Sequence, residues 1–266
     1  MRLPRIWLSL AVLVWAATAG ADLAEVKDRG ALRVLVMSLR SGDEFFAPTA
    51  GSGFDREVLE GFANLQRVRL EVVPAAGWDA LIPELLAGKG DLIAGRFTVT
   101  ESRKKQVAFS SEVFPTRNVV LTRRPHHAVT TLAALREEKV GTVKGTSLAE
   151  AVAAAGVPPA NVDNTIPSGT LPDALKSGQV GAVVLGVENA ISAQRADPAL
   201  ELGVFLGPPT SLAYAVRKGD GQLLKALDDY IENLRRTPTW SRLVVKYFGE
   251  MAPDVLKKAR TESPNR

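Results

Sequence analysis

Short apolar runs alternate with stretches of helical periodicity along most of this chain. The runs Leu32 to Ser38, Val68 to Val73, Leu92 to Ala94, Asn118 to Thr122, Val140 to Val143, Ala182 to Leu185 and Ala213 to Arg217 predict strands. Between the first two, Phe54, Val58, Leu59, Phe62 and Leu65 recur near the 3.6-residue period and predict one buried helix face. A second helix is expected to begin near Trp78 and to stop at Gly88, which accepts a left-handed cap. Strands alternating with helices make βαβ units and mainly parallel sheets, the α/β class.

The segments LLAGKGDLIAG (85–95) and LKSGQVGAVVLG (175–186) echo each other as helix end, glycine turn and apolar strand. They suggest two lobes built alike, although helix-glycine-strand junctions are common enough to coincide. The chain length suits two lobes, each with its own core. Proline and glycine place the crossovers at Thr122 to Pro125 and around Gly207 to Leu212. The first lobe is then discontinuous, residues 22–122 and 211–250, with residues 123–210 as the second. After Gly249 the composition turns polar, and 251–266 read as a frayed tail.

The first 21 residues read as an export signal. Arg2 and Arg5 precede an apolar run from Ile6 to Ala17, and Ala19-Gly20-Ala21 offers small residues before Asp22. Those two arginines account for half of the formal charge of +4. The remaining basic residues are scattered among acids, so nucleic acid is not an expected partner. With no cysteine there is no disulfide, thiolate metal site, cysteine nucleophile or lipoprotein acceptor. His126 and His127, the two histidines, are adjacent and have no nearby carboxylate in sequence, so no metal or cofactor site is expected.

Candidate chemistry concentrates in GKGDLIAGRFTVTESRKKQVAFS (88–110), where a buried strand runs into an exposed turn ending in Arg103. Ligands in open α/β sheets sit beyond the carboxyl ends of strands. A guanidinium there offers a planar fork that matches a carboxylate. The competing reading is a solvated charge beside Lys104 and Lys105. Further on, Lys144-Gly145-Thr146-Ser147 follows a strand and opens a helix, so free N–H groups would face an anion, or Thr146 would simply cap the helix.

The ordered set GALRVLV, GSGFDREVLEGFA, GWDALIPELLAGKGDLIAGRFTVTESRKKQVAFS and KVGTVKGTS resembles the type 2 periplasmic solute-binding proteins of ABC importers for polar amino acids, over residues 30 to 249. The resemblance implies a two-lobed type II periplasmic-binding-protein fold, α/β in both lobes, with the helices at Leu223 to Leu234 and Thr239 to Phe248 packed back on the first lobe. It implies that Arg103, with Thr98, clamps the ligand carboxylate, and that Thr146 and Ser147 face the same anion from the second lobe. Phe45 and Phe46 stand where the family has an aromatic cover for the ligand, and Trp78 where it has a tryptophan that packs the helix start. Two positions depart from the pattern. Arg96 replaces a small residue, and Gly186 replaces the aspartate that holds the α-ammonium. Glu188 either substitutes for that aspartate or serves as a helix N-terminal charge. Arg96 and Gly186 both shift the cleft toward positive charge, which suggests dicarboxylates or acidic amino acids.

The function so implied is a soluble, monomeric, periplasmic or extracytoplasmic protein. It closes on a small carboxylate or amino acid and presents it to the membrane permease of an ABC importer. The same fold carries cyclohexadienyl dehydratases and precedes the catalytic domain of some murein-degrading transglycosylases. The seventeen residues after Gly249 are too few for that domain, so that class is not expected. A dehydratase needs a glutamate between Gly186 and Ala190, where Glu188 stands. A ligand-sensing partner of a membrane receptor differs only in its docking surface.

Overall fold

The computed structural model describes residues 22–37, 43–47 and 52–261, so the expected signal segment lies outside the described residues. The chain builds most of one sheet, crosses to build a second, and returns to finish the first. Strands β1 (Ala31–Val36), β2 (Arg69–Pro74), β3 (Leu92–Ile93) and β4 (Ala108–Phe109) lie in the first sheet. The second sheet holds β5 (Phe114–Arg123), β6 (Val140–Gly141), β7 (Val162–Asp163), β8 (Ala182–Gly186) and β9 (Leu200–Leu212), and β10 (Ala215–Val216) returns to the first. The orders are β2-β1-β3-β10-β4 and β7-β6-β8-β5-β9. In each sheet the first three strands are parallel, and the fourth, supplied just after a crossover, runs against its neighbours. The lobes are therefore built alike.

Helices α1 (Leu23–Arg29), α2 (Phe54–Gln66), α3 (Leu81–Leu86) and α4 (Glu101–Lys104) belong to the first lobe. Those of the second are α5 (Leu132–Glu137), α6 (Ser147–Ala154), α7 (Leu171–Lys176) and α8 (Val187–Ala196), and α9 (Gly221–Arg236), α10 (Pro238–Phe248) and α11 (Ala252–Thr261) follow the return. Phe54, Val58, Leu59 and Phe62 of α2 are buried as their spacing predicts, but Leu65, in the helix's last turn, is 64% exposed. Among the described residues, no helix is long and apolar enough to cross a membrane.

Three expectations change. The first crossover lies at Ser110–Val113, upstream of Thr122–Pro125, because Phe114–Arg123 is one continuous strand of the second sheet. The Arg124-Pro125 pair ends that strand at the far pole of the lobe. The long strand β9 runs through Gly207-Pro208-Pro209, where the sequence predicts a crossover; those three residues are exposed mid-strand, while Leu206 before them and Leu212 after them are buried. The expected polar tail contains α11, whose Ala252, Leu256 and Ala259 are buried against α8, α10 and β5.

The crossover segments are bonded to each other. Ser110 N–H donates to Tyr214 O (2.8 Å), Val113 N–H to Leu212 O (3.0 Å), and Tyr214 N–H to Ser110 Oγ (3.0 Å). Beside them Phe45, Phe54, Phe114 and Phe248 form an edge-packed aromatic cluster, with centroids 5.3 Å apart for Phe54 and Phe114 and 4.9 Å for Phe114 and Phe248. Each such pair is worth about 0.5–1.5 kcal/mol beyond burial. A firm joint thus places the carboxyl ends of β1 and β3 opposite those of β6 and β8.

Candidate functional site

On the first lobe, the turn after β3 passes through Gly95 (φ 81°) and Arg96 (φ 65°). A non-glycine residue in that region costs about 1–3 kcal/mol and persists only when its surroundings hold it. Here the holder is Asp55, a buried residue of α2 whose Oδ2 accepts the Gly95 N–H (3.0 Å) and whose Oδ1 accepts from Tyr214 Oη (3.1 Å). Burial raises the Asp55 pKa to about 6, against the pull of these hydrogen bonds and of Arg96.

Thr100 then caps α4, its Oγ1 accepting the Arg103 N–H (3.3 Å). Arg103 is 6% exposed. Its Nη1 donates to Thr98 O (2.9 Å), and its guanidinium lies 4.1 Å from the Phe97 ring centroid. Burial lowers its pKa to about 10, which leaves it charged at neutral pH. No carboxylate among the described residues lies within ion-pair distance of it. A buried cation without a partner is unfavourable unless an anion arrives from outside.

On the second lobe, Thr146 caps α6, accepting the Ala149 N–H (3.4 Å) and donating to Val143 O (2.6 Å). Its hydroxyl is thus committed locally. Ser147 Oγ donates across the cleft to Thr98 Oγ1 (3.0 Å). Gly145 permits this approach, since a Cβ there would lie 3.2 Å from Asp79 of the first lobe. Trp78 Nε1 to Ser168 Oγ (3.3 Å), Ser102 Oγ to Glu150 Oε1 (3.0 Å) and Arg96 Nη1 to Asn189 Oδ1 (3.4 Å) also join the lobes. The cleft is closed.

Glu188, in the first turn of α8, is 2% exposed. Its Oε2 accepts from Thr116 Oγ1 (2.5 Å) and its Oε1 from Asn189 Nδ2 (3.3 Å). A Cβ built on Gly186 would lie 2.1 Å from Glu188 Oε1. The glutamate therefore folds back into the space that a side chain at 186 would fill. Burial raises its pKa; Thr116 and Arg96 oppose that shift, while Glu44 adds to it.

Two neighbouring cavities that share part of their lining lie between the lobes. The smaller, about 50 Å³, is lined by Arg103, Thr98, Ser147, Thr116 and Glu188 among others. The larger, about 370 Å³, is lined by Met37, Asp43, Glu44, Leu171 and Leu185 among others. Trp78, Arg96 and Asn189 line both.

The sequence profile of the bacterial extracellular solute-binding proteins, family 3, matches residues 44–250. The chain belongs to that family. It is 26% identical over 251 residues to membrane-bound lytic murein transglycosylase F of Desulfosudis oleivorans, a match covering 91% of this chain and 55% of that protein. The chain spans about half the length of the transglycosylases that it matches. Among solved structures, a P235GK mutant of ArgBP from T. maritima superposes with a TM-score of 0.75 at 29% identity, over 86% of this chain and 99% of that one. The ancestral amino acid-binding protein AncCDT-1, described as a precursor of cyclohexadienyl dehydratase, gives 0.75 at 28% identity over 85% and 99%. The two-lobed type II fold is thus that of its structural neighbours.

Within this family 3 solute-binding protein, the structure gathers Arg103, Thr98, Arg96, Thr146, Ser147 and Glu188 at one cleft. It does not bring Phe45 and Phe46 there. Phe45 packs in the aromatic cluster, and Phe46 is buried with Arg56 over its ring, because both follow the Asp43 turn inward. Arg96 does not add free positive charge, since its Nη2 pairs with Asp43 Oδ2 at 2.7 Å. Trp78, expected only to pack its helix, lines both cavities. Its place beyond the carboxyl end of β2 is the signal that marks it. Asp43, Glu44 and Asn189 also belong to the lining.

Proposed function

We propose that this chain is an extracytoplasmic amino-acid-binding protein that closes on its ligand and delivers it to an ABC-type permease. One observation carries the reading: Arg103, buried without a carboxylate partner among the described residues, and Glu188, a buried carboxylate, line one small cavity from opposite lobes. An amino acid bears the two complementary charges on a single carbon. Its α-carboxylate takes the guanidinium fork, and its α-ammonium takes Glu188, which stands in for an acid at position 186. The smaller cavity, with Arg103 and Glu188 in its lining, receives the charged head of such a ligand, while the larger cavity receives the side chain. The likeness to an ancestral amino acid-binding protein supports this reading.

Calorimetric titration with the common amino acids tests it. Arg103→Ala should weaken binding a hundredfold or more, since leaving a buried charge unpaired costs about 3–5 kcal/mol. Arg103→Lys should recover part of the loss. Wild-type affinity in the alanine variant would remove the proposal. A dehydratase-like enzyme is the second reading, favoured by the raised pKa of Glu188, the direction that a general acid needs. Turnover of prephenate by the purified protein would move the assignment there.

A further inference from the structure

We infer that the cleft selects amino acids whose side chain ends in a positive charge, with Glu44 as the counter-ion; this rests on the amino-acid reading above. Among the described residues, the charged side chains lining the two cavities are Asp43, Glu44, Arg96, Arg103 and Glu188. The ligand head engages Arg103 and Glu188. Arg96 and Asp43 compensate each other at 2.7 Å, and Arg96 is held further by Asn189 and by its seat 5.5 Å from the Phe45 centroid. Among these described groups one acid is left over. The Glu44 carboxylate is half-buried in the lining of the larger cavity and has no hydrogen bond or ion pair among the described residues.

Its position is built rather than incidental. Asp43 Oδ1 accepts the N–H groups of Phe45 and Phe46 (2.9 Å each), and Glu44 O accepts the Phe54 N–H (2.7 Å), so both flanks of the turn are tied down. The Glu44 charge also reaches Glu188, whose pKa it raises, so it acts on the ligand's own space. An anionic side chain would meet Glu44 and an Arg96 already engaged. A neutral side chain would leave Glu44 uncompensated in a closed cleft. A guanidinium or ammonium would neutralise it, and Trp78 in the same lining supplies an aromatic surface that favours cations. The cavity is also roomy enough for a long, straight side chain.

Titration calorimetry with L-arginine, L-lysine, L-glutamine and L-glutamate tests this on the whole protein. The basic pair should bind at least tenfold more tightly than glutamine, and glutamate weakest. Glu44→Gln, at a half-exposed position that folding tolerates, should narrow the arginine-to-glutamine ratio at least tenfold, by weakening arginine and relieving the penalty on glutamine. Glutamine or glutamate binding as tightly as arginine in the wild type would overturn the inference without any variant, and so would an unchanged ratio in Glu44→Gln. If no amino acid binds the wild type at all, the amino-acid reading itself fails and this inference with it, a result distinct from amino acids binding in the wrong order.

Discussion

Asp55 never touches the ligand space, yet it holds the turn that presents Arg96. Its folded pKa of about 6 lies above the ordinary 3.8. Between those values the folded protein keeps a proton that the unfolded chain releases, so this group's stabilising contribution is full below about 3.8 and is lost as pH rises through 6. The shift corresponds to about 3 kcal/mol. Urea unfolding of the wild type and Asp55→Asn at pH 4 and 7.5 should show the difference moving in favour of the wild type by up to that amount at the lower pH. A difference that does not change with pH would contradict the assignment. Arg103 and Thr98 were legible in the sequence because their spacing is local. The neutralisation of Arg96 was not, since Asp43 lies 53 residues away and pairs with it only through the fold. Nor does a phenylalanine in a loop disclose whether it faces cleft or core, and Phe45 faces the core.

At the scale of elements, the alternation of apolar runs and helical periods was enough for the α/β class, and positive φ at Gly88 and Gly178 bears out the paired turns. Short strands such as β4 and β7, two residues each, carry too little pattern to detect. Helix α11 was hidden differently. Its apolar face of Ala252, Val255, Leu256 and Ala259 has helical spacing, but alanines supply half of it and lysines and acids surround it. It nonetheless covers Phe248 and meets α8, and Arg117 Nη1 donates to Ala259 O at 3.4 Å. Leu256 is 4% exposed, so Leu256→Ala should destabilise the protein by about 2–4 kcal/mol, through lost burial and the cavity left behind. A change under about 0.5 kcal/mol in urea unfolding would mean that α11 is not part of the packed structure.

For the whole molecule, the question is what holds the lobes together. Four side-chain hydrogen bonds across the cleft, Ser147 to Thr98, Trp78 to Ser168, Ser102 to Glu150 and Arg96 to Asn189, each add only about 0.5–1.5 kcal/mol net, because water can replace every partner. A ligand that bridges Arg103 and Glu188 adds contacts present only when the lobes meet, and that difference is what shifts an open-closed equilibrium. The proposed closure would have to bend Ser110–Val113 and Ala213–Tyr214, the two crossovers, which are hydrogen-bonded to each other and so would bend as a pair. Trp78 would report on it directly, since it is half-buried and bonded to Ser168 of the second lobe in the closed form. In a Trp240→Phe background, where Trp78 is the remaining tryptophan after residue 21, L-arginine should shift its emission to the blue and lower the radius of gyration in small-angle scattering. Emission and radius that stay the same at saturating ligand would show that binding and closure are not coupled in this protein.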